Sequence, residues 1–126
     1  MTNLLYHYRV RIDRVVDGDT VQCTMDQGLR IYRSERLRLL GVDTPELRAS
    51  DPAVRLAAIA ANDYTAAWVL EHAAHASAKT GTTADWPFIA RTAKADSFGR
   101  WLADLACGQG HILSAGLLSS GNAATF

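Results

Sequence analysis

Residues 6–25 read YHYRVRIDRVVDGDTVQCTM. Tyr6, Tyr8, Val10 and Ile12 fall on one parity, and His7, Arg9, Arg11 and Asp13 on the other. Over residues 6–16 that is the period-two pattern of a strand with one buried face. Asp17-Gly18 interrupts it with a turn dipeptide, and residues 20–25 resume an extended pattern, so the stretch predicts a hairpin. A second turn is expected at residues 26–28. Residues 29–40 then form a third strand, with Leu29, Ile31, Leu37 and Leu39 as its apolar positions and an irregularity near Ser34 and Glu35.

Beyond these strands the pattern changes. Asp51-Pro52 is a helix start: the Asp side chain caps free amides, and proline at the first helical position has a preset φ and no donor to waste. Eleven alanines follow within residues 53–78, interspersed with Leu56, Ile59, Trp68 and Leu70, and Gly81 is placed to end the element. This predicts one long helix, well covered by the rest of the domain. Residues 80–87 form a loop by composition. Residues 88–93 and 101–107 are two further strands joined through a turn at 96–99, and Gly108-Gln109-Gly110 closes the last. Ser114 is the expected cap of a short helix over 115–120, with Gly121 at its exit. The predicted fold is mainly β with helices: a five-stranded Greek-key barrel of the oligonucleotide/oligosaccharide-binding type, with a long helix after strand three and a short C-terminal helix. Element order alone also fits an open α+β sandwich.

The chain has 126 residues, 48% of them hydrophobic and 21% charged. That describes one domain over residues 1–126, which buries roughly two-thirds of its extended-chain surface. No window reaches the roughly 20 apolar residues of a membrane span, and residues 1–9 lack a secretory apolar run, so a soluble, cytoplasmic monomer is expected. Cys23 and Cys107 are expected as reduced small hydrophobes. Thirteen basic and thirteen acidic residues cancel, which excludes coating nucleic acid by bulk attraction. Eleven of the basic residues are arginine, and Arg30, Arg33, Arg36 and Arg38 face only Glu35 in their stretch. Arginine's planar fork suits placed phosphate contacts, although a solvated strand face explains the run equally well.

Three short segments concentrate chemistry. Asp17-Gly18-Asp19-Thr20 puts two carboxylates at a turn, where Asp-Gly also occurs for purely conformational reasons. Residues 38–46, RLLGVDTPE, deliver Arg38, Asp43 and Glu46 at a strand exit, with Pro45 forcing Thr44 extended. Residues 96–100, DSFGR, end in Arg100. A hard cation needs several oxygen ligands, and a phosphodiester under attack needs positive charge on its oxygens. Asp19, Asp43 and Glu46 provide the acids, and Arg38 and Arg100 the cations.

In this order the three segments resemble the staphylococcal (micrococcal) nuclease family over nearly the whole chain. The resemblance implies the five-stranded barrel and a Ca²⁺-dependent endonuclease. Such an enzyme cleaves DNA and RNA with little sequence specificity, favours single strands and leaves 3′-phosphate ends. It implies that Asp19 and Asp43 ligate calcium through carboxylates and Thr44 through its carbonyl. Glu46 would be the general base or water-positioning group. Arg38 would hold the scissile phosphate, Arg100 would stabilise charge on the phosphoryl oxygens or leaving group, and Asp17 and Thr20 would support the ligands. Ser97 and Phe98 stand where the family's best-known member has lysine and tyrosine, and the chain ends at Phe126, short of the C-terminal helix of longer members. The rival expectation is a noncatalytic nucleic-acid-binding module. A pure binder gains nothing from three carboxylates beside its arginines, because without a cation they repel the ligand. A protein-interaction scaffold would need neither metal nor arginine.

Other residues have plainer readings. His72 and His75 are expected as a solvated or packed pair, since nothing nearby in sequence completes a metal set. Trp68 and Trp101 are expected in the core, and Trp86 as a surface aromatic.

Overall fold

The computed structural model describes residues 6–93 and 101–125. In chain order it contains β1 (Tyr6–Asp17), β2 (Thr20–Asp26), β3 (Tyr32–Leu39), β4 (Val42–Asp43), α1 (Pro52–His72), β5 (Phe88–Thr92), β6 (Trp101–Cys107), α2 (Leu113–Ser119) and β7 (Ala124–Thr125). Five strands close a barrel in the order β1-β2-β3-β6-β5, and β4 pairs with β7 in a separate two-stranded sheet. Neighbours in the barrel run antiparallel except β3 and β6, which are parallel. This is the mixed order of an oligonucleotide/oligosaccharide-binding-type barrel, and the open sandwich is excluded. The long helix follows the third barrel strand, with the two-residue β4 between them.

Alternation fills the barrel. Val21, Cys23 and Met25 of β2 point inward, as do Ala103, Leu105 and Cys107 of β6. β1 shifts register between Ile12 and Arg14 and again between Val15 and Asp17. An extra residue in a strand reverses its parity, which is how Ile12 and Val15, three positions apart, both pack on the core.

Several expectations are corrected. The second turn runs longer than expected: Gly28, Leu29 and Arg30 all have positive φ, and the Ile31 amide donates to the Gly28 carbonyl at 2.9 Å. Leu29 and Ile31 therefore lie outside the strand, 93% and 52% exposed, and β3 pairs with β2 without a break at Ser34 or Glu35. The Asp51 carboxylate caps α1 by accepting from the Ala53 amide at 2.9 Å, as expected. The helix is not well covered, however: it buries only Ala58, Ala61, Thr65 and Trp68, while Leu56, Ile59 and Leu70 stay exposed. Helix α1 stops at His72 and continues as single 3₁₀ turns, Ala73–His75 and Ala78–Thr80, before Gly81. Ser114 does not cap α2; Ile112 does so from a bridge with Ala106, with no side-chain hydrogen bond. Trp68 is buried, but Trp101, the first residue of β6, stands at the barrel mouth beside Tyr6, Tyr8 and Met25 and is 40% exposed. Trp86 stacks on Tyr32 outside the barrel at 5.7 Å. Among the described residues, no helix is long and apolar enough to cross a membrane.

Candidate functional site: an acid-and-arginine cleft

The β1–β2 turn is set by packing rather than by glycine's conformational freedom. A Cβ on Gly18 would stand 2.9 Å from the Ala61 Cβ and 3.0 Å from the Ala61 carbonyl carbon, so only glycine lets the turn lie against α1. Thr65 fixes it there by donating its hydroxyl to the Gly18 carbonyl at 2.6 Å. Asp17 and Asp19 thus project from a clamped turn.

The β2–β3 register then places Thr20 opposite Arg38, and the Leu39 amide donates to the Asp19 carbonyl at 2.8 Å. Arg36 and Arg38 share a strand face directed away from the barrel interior, where Leu37 and Leu39 point. Arg38 is nonetheless buried, because the chain reverses at Gly41 (φ 80°) and β4 folds back over it. Its Nη1 donates to the Val42 carbonyl at 2.9 Å and lies 3.0 Å from Asp19 Oδ2, while Nη2 donates to Asp43 Oδ1 at 3.0 Å. Asp19 accepts further bonds from the Thr20 hydroxyl (2.9 Å) and the Thr44 amide (3.1 Å). One guanidinium therefore draws together two carboxylates that are far apart in sequence. The Asp19 side chain is 9% exposed and that of Asp43 55%, so one acid is structural in setting and the other faces solvent.

These groups border a cleft of about 520 Å³ whose lining also includes Asp17, Glu46, Arg36 and Arg48. Burial pushes the Asp17 carboxyl above its usual range; Asp19 and Glu46 add to the shift, while Arg36 and Arg48 oppose it. Such crowding of carboxylates is what a bound cation would relieve. The charged donors around the cleft are carboxylate oxygens, with no imidazole or thiol among its lining residues, which suits a hard dication such as Ca²⁺. Of the six residues singled out from sequence, Arg38, Asp19, Asp43, Thr44 and Glu46 all line this cleft. Arg100, with the rest of the 96–100 segment, lies outside the described residues. Sequence reasoning stopped at Glu46 and missed Arg48; the parity shared with Arg38 on β3 is the signal that would have put Arg36 beside it. No protein-family model matches this chain, and no curated protein matches it either.

Proposed function

We propose that the cleft hydrolyses phosphodiester bonds of DNA and RNA as a Ca²⁺-dependent endonuclease of low sequence specificity, leaving 3′-phosphate ends. The observation that carries the reading is the Arg38 guanidinium held between Asp19 and Asp43 in a cleft shared with Glu46. Four carboxylates, Asp17, Asp19, Asp43 and Glu46, and three guanidinium groups, Arg36, Arg38 and Arg48, line it, a sum of −1 that repels a phosphodiester. Asp19, Asp43 and the Thr44 carbonyl would hold the dication, which would bring the sum to +1 and would supply charge stabilisation for the phosphoryl oxygens. The chain's own residues do the rest. Arg38 fixes the spacing of the two acids, and its placement at the cleft wall suits a contact with the scissile phosphate. Exposed Arg36 and Arg48 add guanidinium groups for neighbouring phosphates. Glu46, exposed at the cleft, takes or orients the proton of the attacking water, and the 5′ oxygen departs, which leaves the phosphate on the 3′ side. Arg100 takes its role from the family resemblance.

The test is digestion of single-stranded DNA and RNA by the purified chain. Cleavage with calcium that ceases on addition of chelator is expected, and Glu46→Gln should lower turnover by about 10²- to 10⁴-fold with an unchanged circular-dichroism spectrum. Unaltered cleavage in excess chelator removes the metal from the mechanism. Oligonucleotide binding with no cleavage under calcium would leave the noncatalytic module instead.

A further inference from the structure

His72 closes α1, His75 closes the 3₁₀ turn that follows, and Cys107 is the last residue of β6. One donor atom from each lies within 4.8 Å of the others. The two rings are hydrogen-bonded to each other, their Nδ1 atoms 2.9 Å apart with one donating to the other. The Cys107 side chain is buried and forms no disulfide. Four residues on, His111 sits over the same group, its ring centre 5.1 Å from that of His72 and 6.4 Å from that of His75.

We infer that His72, His75 and Cys107 form a zinc-binding site that ties the end of α1 to the end of β6, with a water or the adjacent His111 completing the fourth position. Two imidazoles and a thiol are the donor set of a borderline-soft, tetrahedral ion, and they differ in kind from the all-oxygen cleft. Zinc bonds of about 2.0–2.3 Å place neighbouring donors about 3.3–3.8 Å apart, so side-chain rotation of about 1 Å closes the widest gap here. The paired spacings, His-x₂-His and Cys-x₃-His, keep each pair within a single turn of chain.

The backbone is built to hold the segments in contact. A Cβ on Gly108 would fall 2.0 Å from the His75 carbonyl oxygen and 2.6 Å from Thr82 Oγ1, so the residue after Cys107 must be glycine for the two segments to meet. Thr82 accepts from the Ser77 amide at 2.7 Å, and the Thr80 hydroxyl donates to the Gly108 carbonyl at 3.2 Å, stitching the 3₁₀ turns to the exit of β6. Trp68 packs against His72 at 4.6 Å and restricts its ring. Binding requires loss of the thiol proton and leaves both rings neutral.

The experiment titrates the metal-free full chain with Zn²⁺ against a chromogenic chelator, and with Co²⁺ as the spectroscopic probe. The expected results are one zinc per chain with an affinity of about 1 μM or tighter, and a near-ultraviolet thiolate-to-cobalt band. Half-buried His75 can be truncated without opening the core, so His75→Ala should keep the fold while weakening zinc at least about tenfold and reducing the rise in unfolding temperature that zinc gives the wild type. Cys107→Ser should remove the cobalt band, and Asp43→Asn, on an exposed side chain of the cleft, should leave zinc affinity unchanged. Absence of binding at about 100 μM Zn²⁺ overturns the inference. So does undiminished affinity in both His75→Ala and Cys107→Ser, or loss of affinity in Asp43→Asn, which would move the ion to the cleft.

Discussion

The acid-and-arginine cleft and the histidine–cysteine cluster are both made where separate segments meet, yet they are held in opposite ways. In the cleft, Asp19 accepts from Thr20, Thr44 and Arg38, and Arg38 also bonds Val42 and Asp43, so this buried pair is fixed by several side-chain bonds of its own. In the cluster a single Nδ1–Nδ1 hydrogen bond joins the ligating side chains, and the precision lies in the backbone contact at Gly108. Substitutions in the buried Asp19–Arg38 pair should therefore disturb the fold along with any chemistry, whereas those in the half-buried rings should disturb ligand binding alone.

The sharpest break of this contrast is Arg38→Ala. It leaves buried Asp19 without its ion-pair partner among the described residues, and removing one partner of a buried pair costs about 3–5 kcal/mol. Urea unfolding at pH 7 should show that loss, whereas Asp43→Asn, acting on a side chain 55% exposed, should cost under about 1 kcal/mol. An Arg38→Ala variant as stable as the wild type would mean that the cleft, like the cluster, is not built into the fold.

Gly18→Ala comes next in size. The added methyl meets Ala61 at 2.9–3.1 Å, and because Gly18 is not in a left-handed conformation the whole cost is steric, about 1–3 kcal/mol of overpacking. The turn must also lift from α1 and carry Asp17 and Asp19 with it, so cleavage should fall by more than the stability loss explains at temperatures well below unfolding. Equal cleavage by folded Gly18→Ala and wild type would uncouple the helix from the cleft.

These effects also explain what could be read in advance. The cleft was legible because its acids lie in two compact segments, residues 17–20 and 38–46, whose turn residues mark them as surface loops. Their meeting depends on the pairing of Thr20 with Arg38, which follows once the hairpin and third strand are in register. The cluster was not legible. His75 and Cys107 are 32 positions apart by their numbers, and their approach depends on where α1 stops and on the length of the β5–β6 pair. Alternation likewise misplaced Leu29 and Ile31, since hydrophobicity carries no sign of three consecutive positive-φ residues. Apolar residues occupy every side of α1, so composition promised cover that only the stripe Ala58, Ala61, Thr65 and Trp68 receives.

The smallest expected effect tests the electrostatic half of the contrast. Burial, with Asp19 and Glu46, raises the Asp17 pKa above 3.8. The folded chain therefore keeps this proton over a pH range in which the unfolded chain has lost it. Stability from this group falls as pH rises from about 3.8 through the raised value, and the full deficit persists at neutral pH. Asp17→Asn removes the deficit, so without divalent cations the variant should be slightly the more stable at pH 7, the half-exposed site being screened by solvent, and the two should converge in acid. Calcium should narrow the difference, because a cation among the carboxylates favours the ionised form. Zinc at a distant imidazole–thiolate site should not. A variant less stable than wild type at pH 7 without metal would show that attraction to Arg36 and Arg48 outweighs the cost of burying Asp17 beside Asp19 and Glu46, and the cleft would then need no cation to be at rest.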